Sequence, residues 1–175
     1  RHDRGGRQTR VRRRCTAREL SERFETTDLG PCEWCLGLEV TRDRPARRIY
    51  LSQKTYMEKV LRAFRVDGDD VKTQDTPLPP GIKLSDSECV DYGDGKPPFP
   101  YRELLGSIMY MTATRPDIQY AVSVLARFCK GPSQKHWRLL KGLLRYIKGT
   151  TGIRLELGGR RAFLWGESDT DWKGE

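Results

Sequence analysis

YRELLGSIMYMTATRPDIQYAVSVLARFCKGPSQKHWRLLKGLLRYIK, residues 101–148, is the stretch that sets the architecture. It contains three helix-length segments, each with apolar residues at the three-to-four spacing of a buried helix face. The first, Tyr101 to Thr112, turns Leu104, Leu105, Ile108 and Met109 inward. The second opens at Pro116, which suits a first helical position, and Asp117 adds negative charge at the positive end of the helix dipole. It buries Ile118, Ala121, Val122, Leu125 and Phe128, then stops at Gly131-Pro132. Ser133 caps the third, whose apolar side is Trp137, Leu140, Leu143, Leu144 and Ile147. The pattern predicts a three-helix unit with these residues inside.

The same stretch holds nine Lys or Arg and two acidic residues, +7 in a chain of formal charge +9. On its third helix Arg138, Lys141, Arg145 and Lys148 fall within an arc of about 80°, because each helical residue advances about 100°. Cations segregated beside a buried face are the footprint of a phosphate-backbone binder. The same stripe would also serve as a solubilising surface. A second basic block lies at the start, where the first fourteen residues carry seven Arg against Asp3. That block has no hydrophobic periodicity and is expected to be a disordered tail.

Between the two blocks the chain alternates in character. Thr16 can cap a short helix running to about Thr26, with Glu19 completing a capping box and Leu20 and Phe24 burying together. Glu33 to Thr41 reads as one strand with Trp34, Leu36, Leu38 and Val40 on one face, and Arg48 to Leu51 returns as its hairpin partner. Ser52 can cap a helix with Tyr56, Met57, Val60, Leu61 and Phe64 at helical spacing. Asp67 to Pro100 holds six of the ten prolines and reads as a linker or long surface loop. After the helices, Arg154 to Leu157 and Ala162 to Trp165 read as two strands around Gly158-Gly159. The expected class is α+β, divided as 1–14 tail, 15–66 hairpin and helix, 67–100 linker, 101–149 helical unit and 150–175 short strands.

Length and composition set further bounds. A chain of 175 residues with 36% hydrophobic and 33% charged content supports one lean domain or two small ones. No 18-residue apolar run or signal-peptide pattern is present, so an intracellular, non-secreted protein is expected, cytoplasmic or nuclear. Cys32 and Cys35 form a lone C-x-x-C without the second pair or His that a zinc site requires.

Seven phrases run in one line: ELSERFETTDLG, CLGLEVTRDRPARRIYLSQKTYMEKVL, TPLPPGIKLS, PYRELLGSIMY, ATRPDIQYAVSVLARF, HWRLLKGLLRYIKGTTG and SDTDW. In this order and spacing, from Ala17 to Glu175, they resemble the C-terminal part of the reverse transcriptase of copia-type LTR retrotransposons, entering its ribonuclease H domain. The resemblance implies that the hairpin from Glu33 to Leu51 is a primer grip, with Trp34 and Gly37 near the primer terminus. It implies that the three basic helices are a thumb, whose first helix meets the minor groove of a template–primer duplex through Gly106 and Tyr110. A glycine one turn before an aromatic lets a backbone approach a duplex while the ring lies against sugars. The competing reading of Gly106 is close helix–helix packing. Segment 150–175 becomes a tether and the start of a truncated ribonuclease H-like fold, and Asp169 matches the first catalytic carboxylate of that domain's magnesium site.

The family pattern is incomplete at both ends. A Tyr-Val-Asp-Asp-like phrase should precede Glu19, but Asp3 is the lone acid there, in a Gly/Arg-rich tract. The family usually has Tyr at Glu167 and Asp at Glu175, and the later ribonuclease H carboxylates have no match. One carboxylate cannot hold two metals. The expectation is a fragment inactive by itself as polymerase or ribonuclease H, with no cofactor of its own although the parent enzyme uses Mg2+. Its retained role would be thumb-type binding of RNA–DNA hybrid or DNA duplex through the backbone, beside the missing palm and ribonuclease H segments and away from any membrane. A small basic helical interaction module, or a non-functional pseudogene product, is the competing reading.

Overall fold

Leu36 and Gly37 turn the chain within what reads as one strand. Both have positive φ, 49° and 77°, as the primed two-residue turns of tight hairpins demand. The computed structural model, which describes residues 21–22, 24–25, 27, 30–93 and 95–159, therefore shows two strands between Trp34 and Asp43. These are β1 (Trp34–Cys35) and β2 (Leu38–Asp43), with Cys35 opposite Leu38. A period of two in hydrophobicity does not distinguish a strand from a hairpin whose tip is apolar. Trp34 consequently pairs with Glu39 and does not share a face with Val40.

β3 (Arg48–Ser52) follows β2 antiparallel, with Val40 opposite Leu51 and Asp43 opposite Arg48. The fourth strand comes from the far end of the chain. β4 (Leu155–Gly158) pairs antiparallel with β3, Leu155 against Leu51 and Gly158 against Arg48. The Gly159 N–H continues that ladder by donating to the Arg47 carbonyl at 3.0 Å. β4 thus closes the hairpin sheet, giving the order β1-β2-β3-β4. Its expected neighbour, Ala162 to Trp165, lies outside the described residues, as do the tail 1–14 and Asp169. Ser21 and Glu22 are helical but Phe24 and Glu25 are not, so the helix read to Thr26 ends before Phe24, and Phe24 is exposed.

Among the described residues from Glu33 on, four α-helices make the body. α1 (Lys54–Ala63) starts one residue later than its Ser52 cap would place it. Ser52 Oγ accepts from the Lys54 N–H at 3.1 Å, and a carboxylate from β2, Glu39, accepts from Thr55 N–H at 2.9 Å. That carboxylate puts negative charge where the helix dipole favours it. α2 (Tyr101–Met111) and α4 (Gln134–Gly149) are helices read from the sequence, but the second, α3 (Gln119–Ala126, led by a 3-10 turn at Pro116–Ile118), ends at Ala126 and not at Gly131, so Phe128 lies beyond it. Met57, Val60 and Leu61 of α1 enter the same core cluster as Leu105, Ile108, Leu125, Leu140 and Leu144. The helical unit is therefore four helices, and the expected division at residue 67 does not separate two cores. Met109 is 47% exposed, against expectation, and Tyr101 and Met111 are buried in its stead. Trp137 is half-buried, stacked on Phe99 at 5.2 Å.

The described residues of 65–100 lack strands and α-helix but are not a free linker. Val71, Leu78, Leu84 and Phe99 pack against the core. Lys148 Nζ donates to the Gly68 and Val71 carbonyls at 2.6 and 2.9 Å. Val90 N–H donates to Gly131 O, and Tyr92 hydroxyl to Pro132 O. Proline density removes regular hydrogen bonding; the apolar residues spaced between the prolines still find the body. The result is a strap laid along the helices.

Two basic side chains, Arg115 and His136, are fully buried among the described residues. Arg115 forks onto Asp117 (Nε–Oδ1 2.9 Å, Nη2–Oδ2 2.7 Å) and donates to the Thr150 carbonyl and hydroxyl at 3.0 and 2.7 Å. Its Nη1 also meets Met57 Sδ at 3.6 Å. One guanidinium thus joins the α2–α3 connection, the end of α4 and α1. His136 completes a capping box at α4, its Nδ1 accepting from Ser133 N–H at 3.0 Å. Its other nitrogen lies 3.7 Å from Glu88 Oε2 of the strap, whose second oxygen is held by Lys135 at 2.6 Å.

Burial holds the His136 imidazole below its ordinary pKa, against the opposing pull of Glu88. A depressed histidine contributes stability that is present above its unfolded pKa and lost as pH falls through the folded value. Lowering the pH from about 7 to about 5 should therefore destabilise the chain. Urea titrations at the two pH values check this, and His136→Gln should flatten the dependence.

Candidate nucleic-acid interface

Gly106 and Tyr110 lie one turn apart on the outward face of α2. A Cβ added at Gly106 would meet nothing within 4 Å. Close helix–helix packing therefore does not explain this glycine, although a glycine within an exposed helix costs about 0.5–1 kcal/mol relative to alanine. What Gly106 leaves is a stretch of helix backbone that a partner can approach.

Tyr110 is fixed in place beside it. Its hydroxyl donates to the Leu36 carbonyl at 2.6 Å, and its ring meets Tyr56 edge-on at 4.8 Å. The Tyr56 hydroxyl in turn reaches the Ser107 carbonyl at 3.3 Å. A Cβ on Gly37 would stand 2.5 Å from the Tyr110 hydroxyl. Gly37 is thus required twice, for its left-handed backbone and for the room that admits Tyr110. Fully buried Gln53 secures the same corner, donating to the Tyr110 carbonyl at 3.1 Å and accepting from Thr114 Oγ1 at 2.8 Å.

This corner brings together three of the residues expected to act, Gly37, Gly106 and Tyr110, and places Trp34 two residues from the hairpin tip. It also contains residues that sequence reasoning passed over. Leu36 is 89% exposed and sits in the left-handed region at φ 49°, where a bulky non-glycine residue is strained. A strained, exposed leucine at a hairpin tip serves neither the turn nor the core. Trp34, Met109 and Tyr110 are also exposed, so the corner presents apolar and aromatic surface to solvent. The LG pair was a turn signal in the sequence, hidden by the apolar alternation around it.

The α4 stripe differs from expectation. Arg138 and Arg145 are exposed and make no ion pair among the described residues. Lys141 is half-buried, its ammonium over the Trp137 ring at 5.6 Å. Lys148 is occupied by the two strap carbonyls. A lysine in the last helical turn satisfies main-chain oxygens there, so the four-cation stripe becomes two free guanidiniums. No hydrogen bond or ring contact joins Gly106 or Tyr110 to these cations. Asp169 falls outside the described residues. Among those described, no group of three His, Cys, Asp or Glu side chains is placed to hold a metal ion. No helix among them is long and apolar enough to cross a membrane.

Similar proteins give this corner its context. The chain is 40% identical over 161 residues to the retrovirus-related Pol polyprotein from transposon TNT 1-94 of Nicotiana tabacum, covering 90% of the chain and 12% of that protein. It is 36% identical over 162 residues to the Pol polyprotein from transposon RE1 of Arabidopsis thaliana, covering 91% of the chain and 10% of that protein. An uncharacterized mitochondrial protein of Arabidopsis thaliana is 35% identical over 162 residues and is covered to 62% of its length. The chain thus spans about a tenth of the Pol polyproteins it matches. No family model matches it, and no solved structure is significantly similar.

Proposed function

Since this chain belongs to the copia-type retrovirus-related Pol polyproteins of transposons, we propose that it is the reverse transcriptase segment that grips a template–primer duplex. Its working property is thumb-type, sequence-independent binding of an RNA–DNA hybrid or DNA duplex through the backbone. The parent activity would be RNA-directed DNA synthesis, with the palm and the rest of ribonuclease H supplied by other parts of a longer polyprotein. The observation that carries this reading is the corner at Tyr110: its hydroxyl is bound to an exposed, strained Leu36 turn beside the uncovered backbone of Gly106. Hairpin and first thumb helix form one surface, with an aromatic ring, an apolar tip and bare backbone. Such a surface suits sugars and base edges in a shallow minor groove.

Gly106→Ala separates this reading from a structural one. Nothing crowds the added methyl, so the substitution should stabilise the fold by about 0.5–1 kcal/mol. Duplex binding should nevertheless weaken, because the methyl stands where the backbone of the duplex must come. Thermal unfolding and fluorescence anisotropy on a labelled hybrid measure the two effects. Tyr110→Ala should weaken binding by about 1–3 kcal/mol, by analogy with aromatic contacts to nucleic acid, with little change in salt dependence. If both variants bind as the parent does, this face is not the duplex contact.

A further inference from the structure

The sheet leaves the body as an arm. Its base is fastened at the Leu36 carbonyl to Tyr110 and at Glu39 to the start of α1. Beyond that base, Val40, Ile49, Leu51 and Leu155 are only half-buried, and none belongs to the core cluster. From Glu39 to Asp43 the strand advances about 14 Å, at about 3.4 Å per residue. The β2–β3 turn therefore stands at the far end of the sheet, away from the Tyr110 corner.

That turn, Arg42 to Arg48, reads RDRPARR, four arginines and one acid. Arg42, Arg44 and Arg47 are exposed, and their guanidiniums make no ion pair or hydrogen bond among the described residues. The nearby carboxylates are already engaged: Asp43 Oδ1 accepts from the Ala46 N–H at 2.9 Å, and Glu156 pairs with Arg48 at 3.0 Å. Arg154 lies over the Tyr50 ring at 4.6 Å. The turn is also hydrogen-bonded on both sides of Arg47. Arg47 holds a left-handed backbone at φ 57°, its N–H donates to Arg44 O, and its own carbonyl accepts from Gly159 of the adjoining strand. A glycine or asparagine would adopt that conformation more readily. An arginine there, strained and without a partner, points to a role outside the fold.

We propose that the β2–β3 arm is a second contact for nucleic acid, in which Arg42, Arg44 and Arg47 take phosphates of the backbone beyond the part held at Tyr110. The inference extends the duplex reading above and rests on it for the identity of the polyanion. The side-chain chemistry favours phosphate. All four cations of the turn are arginine, whose planar fork meets phosphate oxygens in pairs, whereas lysine offers only a point charge. The arm is preformed, so little conformational freedom is lost on binding.

The test uses the full 175-residue chain with Arg42, Arg44 and Arg47 changed together to Gln, beside the parent. The basic tail is common to both, so the difference isolates the arm. Binding of a labelled RNA–DNA hybrid is followed by anisotropy over a range of salt. The log–log slope should flatten by about two to three units, since each phosphate contact contributes about 0.9 or slightly less. Affinity at moderate salt should fall on the order of tenfold or more. Unfolding midpoints should not move, and the triple Lys variant should keep the slope while recovering only part of the affinity. An unchanged slope and affinity in the Gln variant overturns the proposal. So does polyglutamate of matched charge competing as well as unlabelled duplex, which would make the arm a general polyanion contact. Weakened binding in Tyr110→Ala with no effect in the arm variant sinks the arm and leaves the corner. The reverse pattern sinks the corner and leaves the arm.

Discussion

Arg115→Met is expected to lower the unfolding free energy by about 1.5–3 kcal/mol, the range for hydrogen bonds to a charged group, because the Asp117 carboxylate it would leave behind stands partly in water. The side chain is fully buried and its guanidinium reaches Asp117, Thr150 and Met57. Methionine of similar length fills the space but leaves the Asp117 carboxylate and the Thr150 carbonyl without their donor. Arg115→Lys should recover only part of the loss, because an ammonium cannot fork across both carboxylate oxygens. Denaturant unfolding followed by circular dichroism measures both. If Arg115→Met costs less than about 1 kcal/mol, like an exposed pair, the keystone role is wrong. Asp117 adds a pH signature. Burial opposes its charge, but hydrogen bonds from Arg115 and Tyr146 outweigh that and hold its carboxyl below the usual range. Its contribution is present above the unfolded carboxylate pKa and disappears as pH falls through the depressed folded value. Arg115→Met should remove this acid limb.

Phe128→Ala is expected to cost about 3–5 kcal/mol, the range for emptying a buried phenylalanine site. Phe128 is fully buried and stacks on His136 with ring centroids 4.0 Å apart. It stands outside the main core cluster, as a plug beneath the start of α4. Its loss would free the imidazole that accepts from Ser133 N–H, so the first turn of α4 should open with the cavity. Hydrogen exchange should therefore rise at Ser133 to Trp137 more than in the middle of α4. Uniform loosening of the whole helix would contradict a local plug.

The helices were legible in the sequence because local periodicity determined them. Leu104, Leu105, Ile108, Leu125, Leu140 and Leu144 repeat at helical spacing, and each is buried. The strand Arg154 to Leu157 was also readable as a strand. Its partner was not, since β3 lies about a hundred residues earlier and local pattern contains no term for so distant a pairing. The strap reads as a linker for a related reason. Proline and aspartate density reports the absence of regular hydrogen bonds, and says nothing of Val71, Leu78 or Phe99 reaching the core.

The candidate site divides in the same way. Gly106 and Tyr110 stand out in the order of phrases along the chain, and their one-turn spacing on a helix follows from sequence alone. That Gly37 makes room for Tyr110, that Leu36 stands strained at the tip, and that Lys148 is withdrawn into the strap depend on residues 70 to 80 positions apart. Periodicity determines which face of a helix meets the core, because burial is a property of neighbours three and four residues away. Which cation stays free, and which glycine faces open space, is set by what the rest of the chain lays against it. A lysine paired with two carbonyls and a free lysine have the same sequence context, and only the folded chain distinguishes them.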